Sequence, residues 1–93
     1  MKDKITKEKL EKYKNLTANA LKIAEKSVIT NREKEAREII EMVKNYLLDS
    51  GYFEKNKDFV NAFAALNYAH GWLDSGARLG IFDSKDDNLF TIK

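Results

Sequence analysis

One apolar stripe between Phe59 and Gly80 constrains the fold more than any other feature of the sequence. The stretch is rich in alanine and has no β-branched residue after Val60, which favours a helix. Spacings of three and four residues place one set of apolar or small side chains on a single helical face: Phe59, Ala62, Leu66, Ala69, Leu73, Gly76 and Gly80. We therefore predict a buried helix, whose small residues let a neighbouring helix approach closely while Leu66 and Leu73 fill the layers between.

Two more helical patterns precede that stripe. Over residues 6–27 the apolar side chains again recur every three or four positions, with lysine and glutamate elsewhere. The predicted apolar face of this first helix contains Leu10, Tyr13, Leu16, Ala20, Ile23 and Ala24. A second helix is predicted over residues 31–55, because Thr30 followed by Glu33 matches a capping box at its start.

The end of the second helix depends on how Gly51 is interpreted. Asp49, Ser50 and Gly51 form a local C-terminal signal, yet the apolar stripe of the helix continues to Phe53. We predict that the helix continues through Gly51, where glycine costs about 1 kcal/mol relative to alanine. Asn56 is then expected to close the helix in the left-handed conformation.

The third helix and the tail after it complete the fold prediction. Asp58 is the expected N-cap of a helix over residues 58–79, and Gly80 ends it. Residues 81–93 form a short tail whose apolar side chains should fold back over the open end of the bundle: Ile81, Phe82, Leu89 and Phe90. The predicted fold is all-α, an antiparallel up-and-down three-helix bundle that forms a single domain over residues 1–93.

The second half of the sequence resembles a known family. The run NAFAALNYAHGWLDSGARLG over residues 61–80, preceded by YFEKNKDFV, is similar to the signature of a family of short archaeal proteins of unknown function, DUF357. The sequence departs from that pattern at Asn56–Lys57, where members tend to have Lys-Gly, and at Gly51. The resemblance implies an antiparallel three-helix bundle and an archaeal cytoplasmic source, and it implies no activity.

Composition excludes several classes of site. With no cysteine and one histidine, His70, the chain has neither a disulfide framework nor the ligands of a cysteine or histidine metal cluster. No apolar run approaches the roughly 18–20 residues of a membrane-spanning helix, and no signal-peptide core follows the lysine-rich start. We therefore predict an intracellular protein with no metal and no membrane contact, and the resemblance implies a cytoplasmic one. No cofactor and no catalytic residue are assigned.

Polar residues interrupt the third helix on one side. Asn67, Gly71, Asp74 and Arg78, here called the polar ridge, fall within about 60° of one another at the helical period. The ridge is a candidate ligand or partner site, because Gly71 lets another molecule approach the backbone closely. The competing interpretation is an Asp74–Arg78 ion pair worth about a few tenths of a kcal/mol, beside an amide that caps a neighbour. His70 stands at the border of the ridge, where a structural role is favoured over a catalytic one.

The aromatic pair Tyr68 and Trp72 has two interpretations that the sequence leaves open. The residues are four apart and lie on a different side of the helix from Asp74. They either pack against the first helix or form an aromatic patch at a protein interface, where such residues concentrate.

Three classes of function remain, and we favour a non-enzymatic module that binds a protein partner or a second copy of itself. Ten aromatic side chains are many for the interior of so small a bundle, and the flat segment Ala64–Gly71 can seat a second helix, so a homodimer is expected. The alternative is a small-ligand or nucleotide-binding accessory module that uses Asn67, His70, Asp74 and Arg78. A weaker alternative is nucleic-acid binding through the lysines of the first helix, which alternate with acids and are more simply a solvated face.

Overall fold

The computed structural model describes residues 4–83, which fold into three packed helices. The helices are α1 (Lys7–Lys26), α2 (Glu33–Lys55) and α3 (Phe59–Arg78). Near the start of α1, Leu10 belongs to the same buried cluster as Ala62 near the start of α3, and Val28 after α1 pairs with Phe82 after α3. α1 and α3 are therefore parallel, with α2 antiparallel to both, and the predicted all-α up-and-down bundle is confirmed.

The core lies between α3 and the other two helices. α2 and α3 share the largest interface, and α1 packs more on α3 than on α2. The largest side chains that are almost completely buried are Phe82, Leu10, Leu66, Leu73 and Val43. Because each square ångström of buried apolar surface contributes about 25 cal/mol, these side chains account for much of what holds the helices together. The predicted stripe of α3 is confirmed from Ala62 to Gly76.

The predicted core face of α1 is only half right. Three of its six residues are buried: Leu10, Ala20 and Ala24. Tyr13, Leu16 and Ile23 are only half-buried, whereas Thr17 and Leu21 are buried although they were not predicted to be. The buried side of α1 is therefore rotated about the helix axis toward Thr17 and Leu21, and the helix packs mainly on α3.

The second helix begins at Glu33, later than predicted, and the Thr30–Glu33 capping box does not form. Asn31 has a left-handed backbone with φ of 75°, and its N–H donates to Glu33 Oε2 at 3.0 Å. The Glu33 carboxylate therefore bonds to Asn31 in the link and not to the backbone of Thr30. Arg32 is the N-cap residue. Its guanidinium donates to both carboxylate oxygens of Glu35, at 2.8 and 3.0 Å. These hydrogen bonds lower the pKa of Glu35 and raise the pKa of Arg32.

The far end of α2 confirms one prediction and corrects another. The helix runs unbroken through Gly51 and ends at Lys55, as predicted. The left-handed residue that closes it is Lys57, with φ of 61°, and not Asn56. The side-chain amide of Asn56 instead donates to the carbonyl oxygen of Tyr52 at 2.9 Å. That hydrogen bond holds Asn56 at a φ of −90° and moves the turn one residue further along the chain.

Asp58 joins α2 to α3 directly. The N–H of Lys57 donates to the carbonyl oxygen of Glu54 at 2.9 Å, and the N–H of Asp58 donates to that of Phe53 at 2.8 Å. This pair of bonds is a Schellman motif. The Asp58 carboxylate then accepts from the N–H of Asn61 at 3.2 Å, which makes Asp58 the N-cap of α3, as predicted.

The end of α3 is closed by a second Schellman motif. Gly80 has φ of 74°, a conformation that favours glycine, and its N–H donates to the carbonyl oxygen of Ala77 at 3.2 Å. The N–H of Ile81 donates to the carbonyl oxygen of Gly76 at 2.8 Å. Gly80 is exposed, so the prediction that it extends the buried stripe is wrong. The tight turn carries it out of the helical register.

The chain after α3 folds back onto the α1–α2 link. Ile81 and Phe82 are buried, and the N–H of Ile29 donates to the carbonyl oxygen of Ile81 at 2.9 Å. The predicted return of the tail is confirmed for these two side chains. Leu89 and Phe90, which carry the rest of that prediction, lie outside the described residues.

Candidate functional site

The polar ridge lies on the side of α3 that points away from the core. Asn67, Gly71 and Arg78 are exposed, and Asp74 is half-buried. Within residues 4–83, Asp74 and Arg78 form no ion pair with each other or with a third residue. The ion pair of the competing interpretation is therefore not formed there, and the ridge presents a carboxylate and a guanidinium to solvent.

His70 is buried and does not share the exposed surface of the polar ridge. Only 4% of its surface is exposed. Phe63, two turns earlier on the same flank of α3, makes an edge-to-face contact with Tyr13 of α1 at 5.1 Å between ring centroids. By the helical period, His70 points toward α1 as well. A ligand on the polar ridge therefore does not reach the imidazole without a rearrangement of the bundle.

Trp72 lies on the opposite flank of α3, together with Tyr68. The Tyr68 ring stacks on Tyr46 of α2, with centroids 5.4 Å apart and planes at 23°. Tyr68 therefore packs on α2 and not against the first helix. Both side chains keep much of their surface in water, 62% for Tyr68 and 39% for Trp72. The six predicted site residues thus occupy three places: the ridge, the buried flank at His70 and the aromatic flank at Trp72.

A continuous surface connects the aromatic flank to the ridge. Ala64, Tyr68, Gly71 and Ser75 follow one another at spacings of four, three and four, so they form a line along the exposed side of α3. Val60 and Leu79 stand at its two ends, each 66% exposed. We call these six residues together with Trp72 the outer face of α3. A Cβ added at Gly71 would meet no atom within 4 Å, so the middle of this face is open.

A concave surface that was not predicted from the sequence lies at the end of the bundle where α2 joins α3. It is a cleft of about 550 Å³ where the start of α1, the end of α2 and the start of α3 meet. The residues that line this lysine cleft are Lys7, Lys14, Gly51, Glu54, Lys55, Lys57 and Phe59. A signal was present in the sequence: in an up-and-down bundle the start of the first helix and the α2–α3 link share one end, and both are rich in lysine.

Two further classes of site are absent from the part of the chain that the structure describes. No three histidine, aspartate or glutamate side chains among residues 4–83 are grouped so that they could hold a metal ion. Over the same residues, no helix combines the length and hydropathy needed to cross a lipid bilayer.

Comparison with known families supports the resemblance seen in the sequence. The model of a family described as "Protein of unknown function (DUF357)" matches residues 12–82. The chain belongs to the DUF357 family. No curated protein and no solved structure matches the chain.

The DUF357 match includes both candidate surfaces. It covers all of α2 and α3 and ends at Phe82, the side chain that closes the core. The outer face of α3 lies entirely within it, and so does the lysine cleft except for Lys7. Because the family is one of unknown function, any functional conclusion has to rest on the geometry of these two surfaces.

Proposed function

We propose that this DUF357 protein is a non-enzymatic interaction module that pairs with a second copy of itself through the outer face of α3. The observation that supports this proposal is the exposure of Val60, Tyr68, Trp72 and Leu79 along one side of one helix. Aromatic side chains such as Tyr68 and Trp72 are enriched in the buried centre of protein–protein interfaces relative to the rest of the protein surface. We further propose an archaeal, cytoplasmic protein, which the family resemblance and the absence of cysteine favour.

The shape of the outer face suits a second copy. In the proposed dimer, α3 of the second copy lies antiparallel across the outer face of α3. The twofold axis passes midway between the positions of Tyr68 and Gly71. Each Tyr68 ring then faces Gly71 of the second copy, and Ala64 faces Ser75. A large side chain opposes an open glycine, and small side chains oppose each other, which allows the helices to approach closely. Twofold pairing of identical patches is the commonest way in which soluble proteins form oligomers.

The ends of such a pair also match. Under the same twofold operation, Val60 of one copy and Leu79 of the other come to the same level at each end. The line from Val60 to Leu79 spans 20 residues, which at 1.5 Å per residue is about 30 Å of helix. The polar ridge then borders the interface on one edge, with Asp74 and Arg78 in position to contact the second copy.

Sedimentation equilibrium across micromolar concentrations tests the dimer. We expect the mass to rise from 10.7 kDa, the mass of one chain, toward twice that value as concentration increases. Gly71→Leu should hold the mass at that of one chain, because the new side chain fills the position of the opposing Tyr68. The variant should still unfold cooperatively, since its Cβ meets nothing within 4 Å and glycine is the poorer helix former by about 1 kcal/mol.

A matched pair of charge substitutions locates the interface. Tyr68→Glu should abolish pairing, whereas Leu48→Glu, at an exposed position on α2, should leave it unchanged. A wild-type mass that stays at 10.7 kDa at every concentration would refute the proposal. Equal loss of pairing in both variants would refute the assignment of the interface to α3.

The alternative function is binding of a small ligand or nucleotide on the polar ridge. Its support is that Asp74 and Arg78 have no ion-pair partner within residues 4–83. A nucleotide at 100 times its dissociation constant should stabilise the fold by about 2.7 kcal/mol, measured as a shift in melting temperature. Arg78→Gln should remove that shift, and Arg37→Gln, at an exposed position on α2, should retain it. A shift that survives Arg78→Gln places the ligand elsewhere.

A further inference from the structure

The lysine cleft combines a concave shape with uncompensated positive charge. Four ammonium groups and one carboxylate line it. Lys14 is paired with Glu54, with 3.5 Å between Nζ and Oε1. Lys7, Lys55 and Lys57 have no carboxylate within ion-pair distance among residues 4–83. We infer that the cleft binds a compact polyphosphate, such as pyrophosphate or the triphosphate of a nucleotide.

The fold holds these charges together at some cost. The Schellman motif at the end of α2 fixes Lys57 at φ of 61°, in a backbone region that favours glycine. Lys55 and Lys57 therefore flank a rigid turn that faces the start of α1, which supplies Lys7. Like charges gathered in this way repel each other. An anion in the cleft relieves the repulsion and accepts charge-assisted hydrogen bonds from several ammonium groups at once.

The chemistry of the surroundings favours a small anion over a nucleic acid. The cleft has a volume of about 550 Å³, which suits a compact ligand. Along α1 the lysines alternate with Glu8 and Glu11, so the positive charge does not continue as a stripe away from the cleft. Nucleic-acid-binding sites usually have an extended basic groove that follows the sugar-phosphate backbone. A site that is basic only at one end of the bundle fits a ligand whose charge is equally concentrated.

Gly51 keeps the cleft open. A Cβ built on Gly51 meets no atom within 4 Å, although the residue lies inside α2 and lines the cleft. A larger side chain at this position therefore points into the free volume without displacing the core. This provides a way to fill the cleft while leaving every lysine in place.

Titration followed by NMR tests the site in the full chain. Inorganic pyrophosphate and ATP are added separately at low ionic strength, and amide chemical shifts are recorded. We expect saturable changes centred on Lys7, Lys55, Lys57 and Phe59, and weaker binding as salt is added, because salt screens charge. If ATP shifts amides beyond those that pyrophosphate shifts, its base contacts the protein and the site belongs to a nucleotide. If both probes shift the same amides, the site is assigned to the phosphates alone, and both results support the inference.

Two variants distinguish the cleft from general surface charge. Lys55→Gln with Lys57→Gln should weaken pyrophosphate binding by at least about tenfold, since hydrogen bonds to charged groups contribute more than 1.4 kcal/mol. Lys22→Gln with Lys26→Gln makes the same change in charge at the far end of α1 and should leave the affinity unchanged. Gly51→Leu should abolish binding while cooperative unfolding is retained.

Three results would overturn the inference. The first is the absence of saturable shifts with either probe. The second is equal weakening by the two lysine pairs, which would indicate diffuse attraction to a basic surface. The third is tighter binding of a single-stranded RNA than of ATP, with shifts spread along the whole of α1, which would assign the lysines to nucleic acid. The dimer is tested by mass, so its failure leaves this experiment valid.

Discussion

Leu73→Asp should leave the protein without a cooperative thermal unfolding transition. Leu73 has no exposed surface. It packs in a cluster of buried side chains that joins all three helices and includes Val43 of α2 and Phe82 after α3. A carboxylate placed there has no partner and loses its hydration, which costs several kcal/mol or forces its protonation. Domains of this size have about 5–15 kcal/mol of stability in total. Circular dichroism during heating measures the outcome directly.

The matched control is the same substitution on the surface. Leu48 of α2 is 73% exposed, so Leu48→Asp keeps its carboxylate hydrated and should change the free energy of unfolding by about 0.5 kcal/mol or less. Similar melting curves for Leu48→Asp and Leu73→Asp would show that α3 is not the central element of the core.

Gly76→Ala should destabilise the fold by about 1–3 kcal/mol, as overpacked cores do, even though alanine is the better helix former by about 1 kcal/mol. The new Cβ would lie 2.5 and 2.7 Å from two ring carbons of Phe82 and 3.1 Å from Ile39 Cδ1. Phe82 is almost completely buried, so its ring has little room to move. Urea denaturation gives the change in the free energy of unfolding.

Two further variants determine the cause of that loss. Gly51→Ala makes the same change in a helix with nothing within 4 Å, and it should stabilise the protein by about 0.5–1 kcal/mol. Phe82→Leu removes the ring and should make Gly76→Ala less harmful than it is in the wild type, a coupling that a double-mutant cycle measures. A destabilising Gly51→Ala, or the absence of coupling, would contradict the proposed clash.

The sequence predicted the parts of the fold that depend on periodicity. The apolar residues of the stripe from Ala62 to Gly76 share one side of a helix however that helix packs. Their spacing alone therefore identifies the side that is buried. The same holds for the passage of α2 through Gly51, because the apolar positions on both sides of the glycine share one helical register. Asp58 could be identified as a cap because its hydrogen bond to Asn61 is local in sequence.

What the sequence could not predict depends on contacts between distant segments. Asn56 and Lys57 are both compatible with a left-handed turn, and the side-chain hydrogen bond of Asn56 to Tyr52 decides which residue adopts it. The lysine cleft exists because three helix ends meet, so no local pattern describes it. The separation of His70 from the ridge likewise depends on which flank of α3 faces α1, and one helical wheel does not specify that.

The preference of α1 for α3 has a consequence for how the protein is made. The ribosome releases α1 first, but the helix against which α1 mainly packs is not complete until Arg78 has been added. α2 and α3 are neighbours in sequence, so their pairing closes a short loop and is fast. The apolar side of α1, with Leu10 and Leu21, therefore stays uncovered until α3 has been synthesised. We expect the nascent chain to depend on chaperones, or on rapid docking once α3 emerges, to avoid aggregation during that interval.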